Sequence, residues 1–224
     1  MIYVEPDLLN EQELGSLRRL YDERTVRDGA LTAGGDLATS KNNRELHLGE
    51  HSAKVKAIVL EACNRSIMLT YALLPRLVTN PILSLYEDGM QYGRHTDSAM
   101  GHDGTRTYRS DISVTVFLDD PSTYEGGELA IENEAGEACY KLPAGHAVFY
   151  PTLYIHRVRP VTKGRRRACV FWVESLVRDP AQRAILFDLM QVSSWLGERE
   201  PMDSVPRQLL TKVRENLFRM WIEA

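Results

Sequence analysis

With 224 residues, 43% hydrophobic and 26% charged, the chain has room for one full-sized domain with a substantial core and too little for two large ones. A net charge of −4 attracts no polyanion, which argues against a dedicated nucleic-acid-binding or membrane-surface protein. Three cysteines, Cys63, Cys139 and Cys169, stand far apart in mostly apolar settings and read as buried free thiols in a reducing compartment, not as a disulfide scaffold. The opening Met1-Ile2-Tyr3-Val4-Glu5-Pro6 has no basic flank leading into an apolar run. Nowhere do about 18 apolar residues pass without a charge, so a soluble, cytoplasmic protein without membrane contact is expected.

The first periodic segment, Asn10 to Glu23, sets Leu14, Leu17, Leu20 and Tyr21 on one face and starts with Asn10 and Glu13 in capping-box spacing, which predicts an amphipathic helix. From Arg27 to Arg44 the chain is polar and rich in turn signals such as Gly34-Gly35-Asp36, and reads as loop with a short strand. A second helix is predicted from Ser52, its N-cap, with Val55, Ile58, Val59, Ala62 and Cys63 at helical spacing. At Pro81 the period changes. Ile82 to Tyr86 and Ile112 to Leu118 read as strands, the latter half-buried by its alternation. Short strand candidates follow at Glu128–Glu132, Ala138–Leu142, His146–Tyr150, Tyr154–Val161 and Arg167–Glu174, with turn signals between them and no helix. That pattern predicts an antiparallel sandwich or jelly roll. Beyond Ser175, Asp179-Pro180 caps a helix running to about Gln191, and a last helix from about Pro206 aligns Leu209, Leu210, Val213, Leu217 and Trp221, a stripe suited to the barrel or to a homodimer.

Chemistry concentrates in the sheet region. In an extended chain residues i and i+2 point the same way, so the imidazole of His95 and the carboxylate of Asp97 can converge on one ion. His156, in the aromatic run Phe149 to His156, is the third candidate ligand. Two imidazoles and one carboxylate leave half an octahedron open, as non-heme Fe(II) requires, although zinc accepts the same donors. Arg166 follows His156 by ten residues and shares a strand face with Ala168, Val170 and Trp172. A guanidinium there needs an anion, and its fork suits one end of a small dicarboxylic acid. Arg165 and Arg167 read as a solvated basic turn. The segment Gly126-Gly127-Glu128-Leu129 reads as a turn into a strand, with glycine supplying positive φ.

Taken together, His95-x-Asp97, His156 and Arg166, preceded by Tyr86-x-x-Gly89-x-x-Tyr92 and with Tyr124-x-Gly126-Gly127 between, resemble the Fe(II)- and 2-oxoglutarate-dependent dioxygenases of the prolyl/lysyl hydroxylase type, and most of all the bacterial PKHD-type hydroxylases. The resemblance implies a double-stranded β-helix (jelly roll), mainly β with flanking α, over residues 78–178, with supporting helices in 1–77 and a helical extension in 179–224. It implies one Fe(2+) per chain on His95, Asp97 and His156, 2-oxoglutarate as co-substrate gripped by Arg166 with help from Tyr86, molecular oxygen, and L-ascorbate as reductant. The implied reaction hydroxylates a small-molecule or peptide substrate and releases succinate and carbon dioxide. A sensor that binds metal and 2-oxoglutarate without turnover is the alternative. Substrate choice would rest with the loops Arg27 to Arg44 and Ser98 to Arg109, and aromatic residues such as Tyr92, Tyr150 and Trp172 would line the pocket.

A competing motif, His47-x-x-Glu50-His51, matches inverted zinc metalloproteases, but Gly49 and the expected helix start at Ser52 put it before the helix instead of on it. His146 reads as structural, and His102 lies in the loop expected over the substrate.

Overall fold

A computed structural model describes residues 2–23, 25–33 and 38–223. In chain order, β1 (Tyr3–Glu5) and α1 (Glu11–Glu23) are followed by β2 (Val26–Asp28), β3 (Lys41–Asn42), β4 (Arg44–Leu46), α2 (Ser52–Arg65) and α3 (Ile67–Leu73). Then come β5 (Pro75–Val78), β6 (Ile82–Tyr86), β7 (Gln91–His95), β8 (Met100–His102), β9 (Thr107–Arg109) and β10 (Ile112–Phe117). The chain continues with β11 (Tyr124–Gly126), β12 (Leu129–Asn133), β13 (Gly136–Tyr140), β14 (Ala147–Pro151), β15 (His156–Val158), β16 (Val161–Gly164) and β17 (Arg166–Ser175), and ends with α4 (Pro180–Gly197) and α5 (Val205–Trp221).

The strands form an antiparallel eight-stranded sheet, ordered β1-β14-β10-β17-β6-β4-β2 with β5 also on β17, and a five-stranded sheet, ordered β13-β12-β15-β7-β3. Neither sheet closes on itself. Helices cover one face of the large sheet: Leu14, Leu17, Val55 and Val59 pack on Val114, Val116, Cys169 and Phe171. The other face meets the small sheet, where Phe117, Val148 and Tyr150 pack with Leu129 and Ile131. This is the jelly-roll arrangement expected, and residues before 78 contribute strands to it as well as helices.

The double cover corrects the reading of Ile112 to Leu118. All of β10 is buried, because both of its faces are roofed, and its alternation separates an apolar helix-facing row from a polar row, Ser113 and Thr115, that faces the small sheet. Other boundaries differ for local reasons. Asn10 and Glu13 do form the reciprocal cap, at 2.9 Å in both directions. Ser52 lies inside α2, whose start is a 3₁₀ turn over Gly49–His51 with no side-chain cap. The run Tyr154–Val161 is not one strand, because Pro160 cannot donate to a ladder: His156–Val158 joins the small sheet and Val161–Gly164 pairs with β11. The turn at Gly34-Gly35-Asp36 lies outside the described residues. The loop Ser98 to Arg109 is instead a hairpin, β8 on β9. Asp179 caps α4 as expected, accepting from the Ala181 and Gln182 amides at 2.7 and 3.1 Å, and the helix runs on to Gly197. On α5, Leu210, Leu217 and Trp221 are partly covered while Leu209 and Val213 remain exposed.

Two sequence expectations fail on burial. Cys139 is exposed on β13, an edge strand, whereas Cys63 and Cys169 are buried, burial pushing the Cys63 thiol up to about 12. Arg167 is no solvated turn residue: only 8% exposed, it points from β17 to the helix side and grips Asp119, whose oxygens accept from its backbone N–H at 2.7 Å and its Nη2 at 2.5 Å. Arg165 alone stays exposed. Asp119→Ala would strand that guanidinium and is expected to cost about 3–5 kcal/mol, lowering Tm by about 10 °C in calorimetry.

Among the described residues no helix is long and apolar enough to cross a membrane.

Candidate active site

Strand register delivers the site as three cross-strand pairs. His95 on β7 stands opposite His156 on β15, Ser113 on β10 opposite Trp172 on β17, and Tyr86 on β6 opposite Arg166 on β17. The first pair lies on the small sheet and the other two on the large one, so the sheets close around a shared interior.

His95, Asp97 and His156 offer ligand atoms that all lie within 4.8 Å of one another, and among the described residues no other group of His, Cys, Asp or Glu converges in this way. Both imidazole Nε2 atoms approach Asp97 Oδ1, at 3.6 Å from His95 and 3.7 Å from His156. Each ring's far nitrogen is held by a carbonyl two residues back, His95 Nδ1 by Gly93 O at 2.8 Å and His156 Nδ1 by Tyr154 O at 3.1 Å. A carbonyl only accepts, so the proton sits on Nδ1 and the Nε2 lone pair faces the centre. The carboxylate is treated alike: Asp97 Oδ2 accepts from Ser113 Oγ at 2.6 Å and Trp172 Nε1 at 2.8 Å, leaving Oδ1 for the centre. Burial alone would raise the Asp97 carboxyl, yet His95, His156, Ser113 and Trp172 together hold it well below the usual carboxylate range. Burial, reinforced by His95 and only partly opposed by Asp97, pushes His156 down and keeps it neutral. Three converging donors, each with its second atom pinned, fit a divalent cation.

Around them Tyr92 stacks on His95 at 3.6 Å between centroids, and Tyr150 meets His156 edge-on at 5.0 Å. Trp172 takes a larger part than lining the pocket, since its N–H fixes the carboxylate. Trp172→Phe is expected to lower metal affinity about 10- to 100-fold, read by competition with a chelator, with the fold retained.

A cavity of about 330 Å³ runs from the triad along the interior to Arg166. Arg166 is 1% exposed, and its Nε and Nη2 have no hydrogen-bond partner. Tyr86 and Phe117 flank the guanidinium, their ring centroids 5.2 and 5.3 Å from Cζ. Burial raises the Tyr86 phenol, with Arg166 opposing, so the hydroxyl stays protonated. Gly126 and Gly127 adopt φ of +70° and +68° as anticipated, and Gly127 does more than turn the chain: a Cβ there would lie 3.1 Å from Arg166 Cδ.

Sequence reasoning missed Ser113 as a partner of Asp97 and the wall formed by Lys41, Asn43 and Glu45 on one side of the cavity. The signal for Ser113 was present, one of two hydroxyl residues, with Thr115, at the same phase of a strand whose other residues are apolar. The hairpin β8–β9 lines the cavity with Met100, Gly101 and Tyr108, while His102 faces solvent and bonds only the Gly104 amide, at 3.0 Å. His146 lies apart from the site beside Asp7. His47 and Glu50 are exposed, and the His-x-x-Glu-His motif rests on a 3₁₀ turn that cannot array it as a metalloprotease helix would.

Residues 82–174 match the 2OG-Fe(II) oxygenase superfamily. A PKHD-type hydroxylase of Synechococcus sp. (strain JA-2-3B'a(2-13)) is 43% identical over 224 residues, 100% of both chains. The chain belongs to the PKHD-type hydroxylase family. Another relative, from Xanthomonas axonopodis pv. citri (strain 306), is 42% identical over 230 residues, again 100% of both chains. Among solved structures, a Pseudomonas putida prolyl-4-hydroxylase superposes with a TM-score of 0.54 at 18% identity, covering 77% of this chain and 92% of its own. The viral collagen prolyl hydroxylase from Paramecium Bursaria Chlorella virus-1, in its 2OG complex, gives 0.52 at 15% identity over 78% and 95%. At such identities these two show the shared jelly roll. Family membership makes this PKHD-type protein an oxidoreductase of the 2-oxoglutarate- and iron-dependent dioxygenase class.

Proposed function

We propose that this PKHD-type family member hydroxylates a small-molecule or peptide substrate, consuming 2-oxoglutarate and oxygen and releasing succinate and carbon dioxide. In this reading His95, Asp97 and His156 hold Fe(2+), Arg166 grips the distal carboxylate of 2-oxoglutarate, and Tyr86 packs against that grip. The observation that carries it is the pairing of three pre-oriented ligand atoms at one end of a cavity with a buried guanidinium beside it whose Nε and Nη2 lack a hydrogen-bond partner. A buried guanidinium without an anion is costly, so the site is shaped for one. When bound, the iron supplies activation of oxygen. The chain's own residues do the rest: Gly93 O and Tyr154 O orient the imidazoles, Ser113 and Trp172 orient the carboxylate, and Tyr92, Tyr150 and Leu129 exclude water. The metal ligands and Arg166 are assigned to a catalytic unit over 78–178, to which 1–77 adds strands, helices and one cavity wall and 179–224 adds helices. L-ascorbate as reductant and a cytoplasmic setting complete the proposal, the latter supported by three free thiols.

The test is anaerobic loading with Fe(II), then titration with 2-oxoglutarate while following the weak visible charge-transfer band of a chelated ferrous complex, in the parent chain and in His156→Ala. A band in the parent that is missing in the variant is the expected result. Iron-loaded, folded parent protein without a band would overturn the co-substrate assignment. Exposure to air then separates enzyme from sensor, because only turnover converts 2-oxoglutarate to succinate.

A further inference from the structure

The wall opposite Arg166 holds a second unsatisfied group. Register pairs Arg44 with Leu85 and Glu45 with Ser84 on β6, which brings Asn43, one residue earlier, beside Tyr86, and Tyr86 is in turn paired with Arg166. Asn43, Tyr86 and Arg166 therefore form one row across three neighbouring strands, and all three line the cavity. Asn43 is 3% exposed, and neither Nδ2 nor Oδ1 makes a well-formed hydrogen bond, its polar neighbour in the wall being the Tyr86 hydroxyl. One phenol cannot satisfy both N–H groups and the oxygen of a buried amide, and in a cavity wall that shortfall points to a ligand that completes it. Its neighbour Glu45 is already engaged, accepting from Lys41 Nζ and Thr32 Oγ1, both at 2.7 Å. Nor is Asn43 free to swing away. Gly29 N donates to the Asn43 carbonyl at 2.9 Å, and a Cβ on Gly29 would fall 1.9 Å from Asn43 Oδ1, so the absence of a side chain at 29 is what admits the amide.

We infer that Asn43 is a second anchor for the co-substrate, its side-chain N–H donating to the distal carboxylate from the side of Tyr86 opposite Arg166; this rests on the reading of Arg166 given above. A carboxylate offers about four acceptor positions. A guanidinium edge fills two of them, and an amide donor across the phenol ring fills a third. Asn43 is a positioning residue for the acid, with no contact to the metal ligands.

The test measures binding by calorimetry to the full chain loaded with Mn(II), using two acids: 2-oxoglutarate, and 2-oxopentanoate, which keeps the keto acid end and lacks the distal carboxylate. In Asn43→Ala the 2-oxoglutarate Kd is expected to rise about tenfold while that of 2-oxopentanoate stays at the parent value. Asn43→Asp keeps the shape, places a like charge beside the carboxylate, and is expected to weaken 2-oxoglutarate further. It also carries the test if the alanine variant does not fold. An unchanged 2-oxoglutarate Kd in the folded variant overturns the inference, as does equal weakening of both acids, which would make Asn43 a packing residue. An unchanged Kd in Arg166→Ala would instead bring down the underlying assignment, and is read on a separate protein.

Discussion

Asp97→Ala is expected to abolish stable iron binding and to reduce succinate formation by about a thousandfold or more, the several kcal/mol that a catalytic metal contributes. The loss is larger than that of one donor among three. Asp97 is the sole carboxylate of the group, so its removal leaves only two imidazoles to hold a dication. It also strands the Trp172 N–H, which donates to Oδ2, and leaves the Ser113 hydroxyl only its bond to Thr152 Oγ1 at 3.2 Å. Iron content after dialysis measures the first effect, and circular dichroism verifies that the fold survives. His47→Ala serves as the control at the other histidine-rich segment and is expected to keep full iron content, since His47 is exposed and remote from the converging donors. Iron retained by Asp97→Ala would refute the ligand assignment.

Arg166→Ala is expected to separate the two halves of the site. Metal affinity should stay at the parent level, because no triad atom contacts the guanidinium. Affinity for 2-oxoglutarate should fall by about two to four orders of magnitude, matching the 3–5 kcal/mol typical when one member of a buried charge pair is removed. The contrast with Asp97→Ala is diagnostic, one variant losing the ion and the other only the acid. Arg166→Lys should recover part of the affinity, as it restores charge without the planar fork. Parent-level affinity in Arg166→Ala would mean that another group holds the acid.

Much of this site was legible before any coordinates. His95 and Asp97 are two residues apart on an extended segment, so strand geometry alone brings them to one side. The inward phase of Arg166, Val170 and Trp172 followed from the same period, and the structure puts all three on the cavity. What stayed hidden depends on contacts between distant segments. Ser113 and Trp172 lie 16 and 75 residues from the Asp97 they orient, and no local pattern links them. Asn43 sat in a stretch read as loop with a short strand, and its place beside Tyr86 comes from the pairing of β4 with β6, which sequence does not reveal. Arg167 was misread for a related reason. One residue from Arg166, it takes the opposite face of β17, and its buried partner Asp119 lies 48 residues away. The misjudged exposure of β10 came from counting only one roof over the sheet, when the helices supply another.

The alternation of β17 has a practical consequence for redesign. Odd positions 169, 171 and 173 anchor the helical layer, while 166, 170 and 172 face the cavity. A library that diversifies this strand to change selectivity would therefore disturb scaffold and chemistry in the same stroke, because any backbone adjustment on one side is transmitted to the other. Evolvability is concentrated elsewhere, in the β8–β9 hairpin and the short edge strand β3. There, side chains reach the cavity from segments with few obligations to the core, and new substrate preferences can be sought without retuning the metal centre.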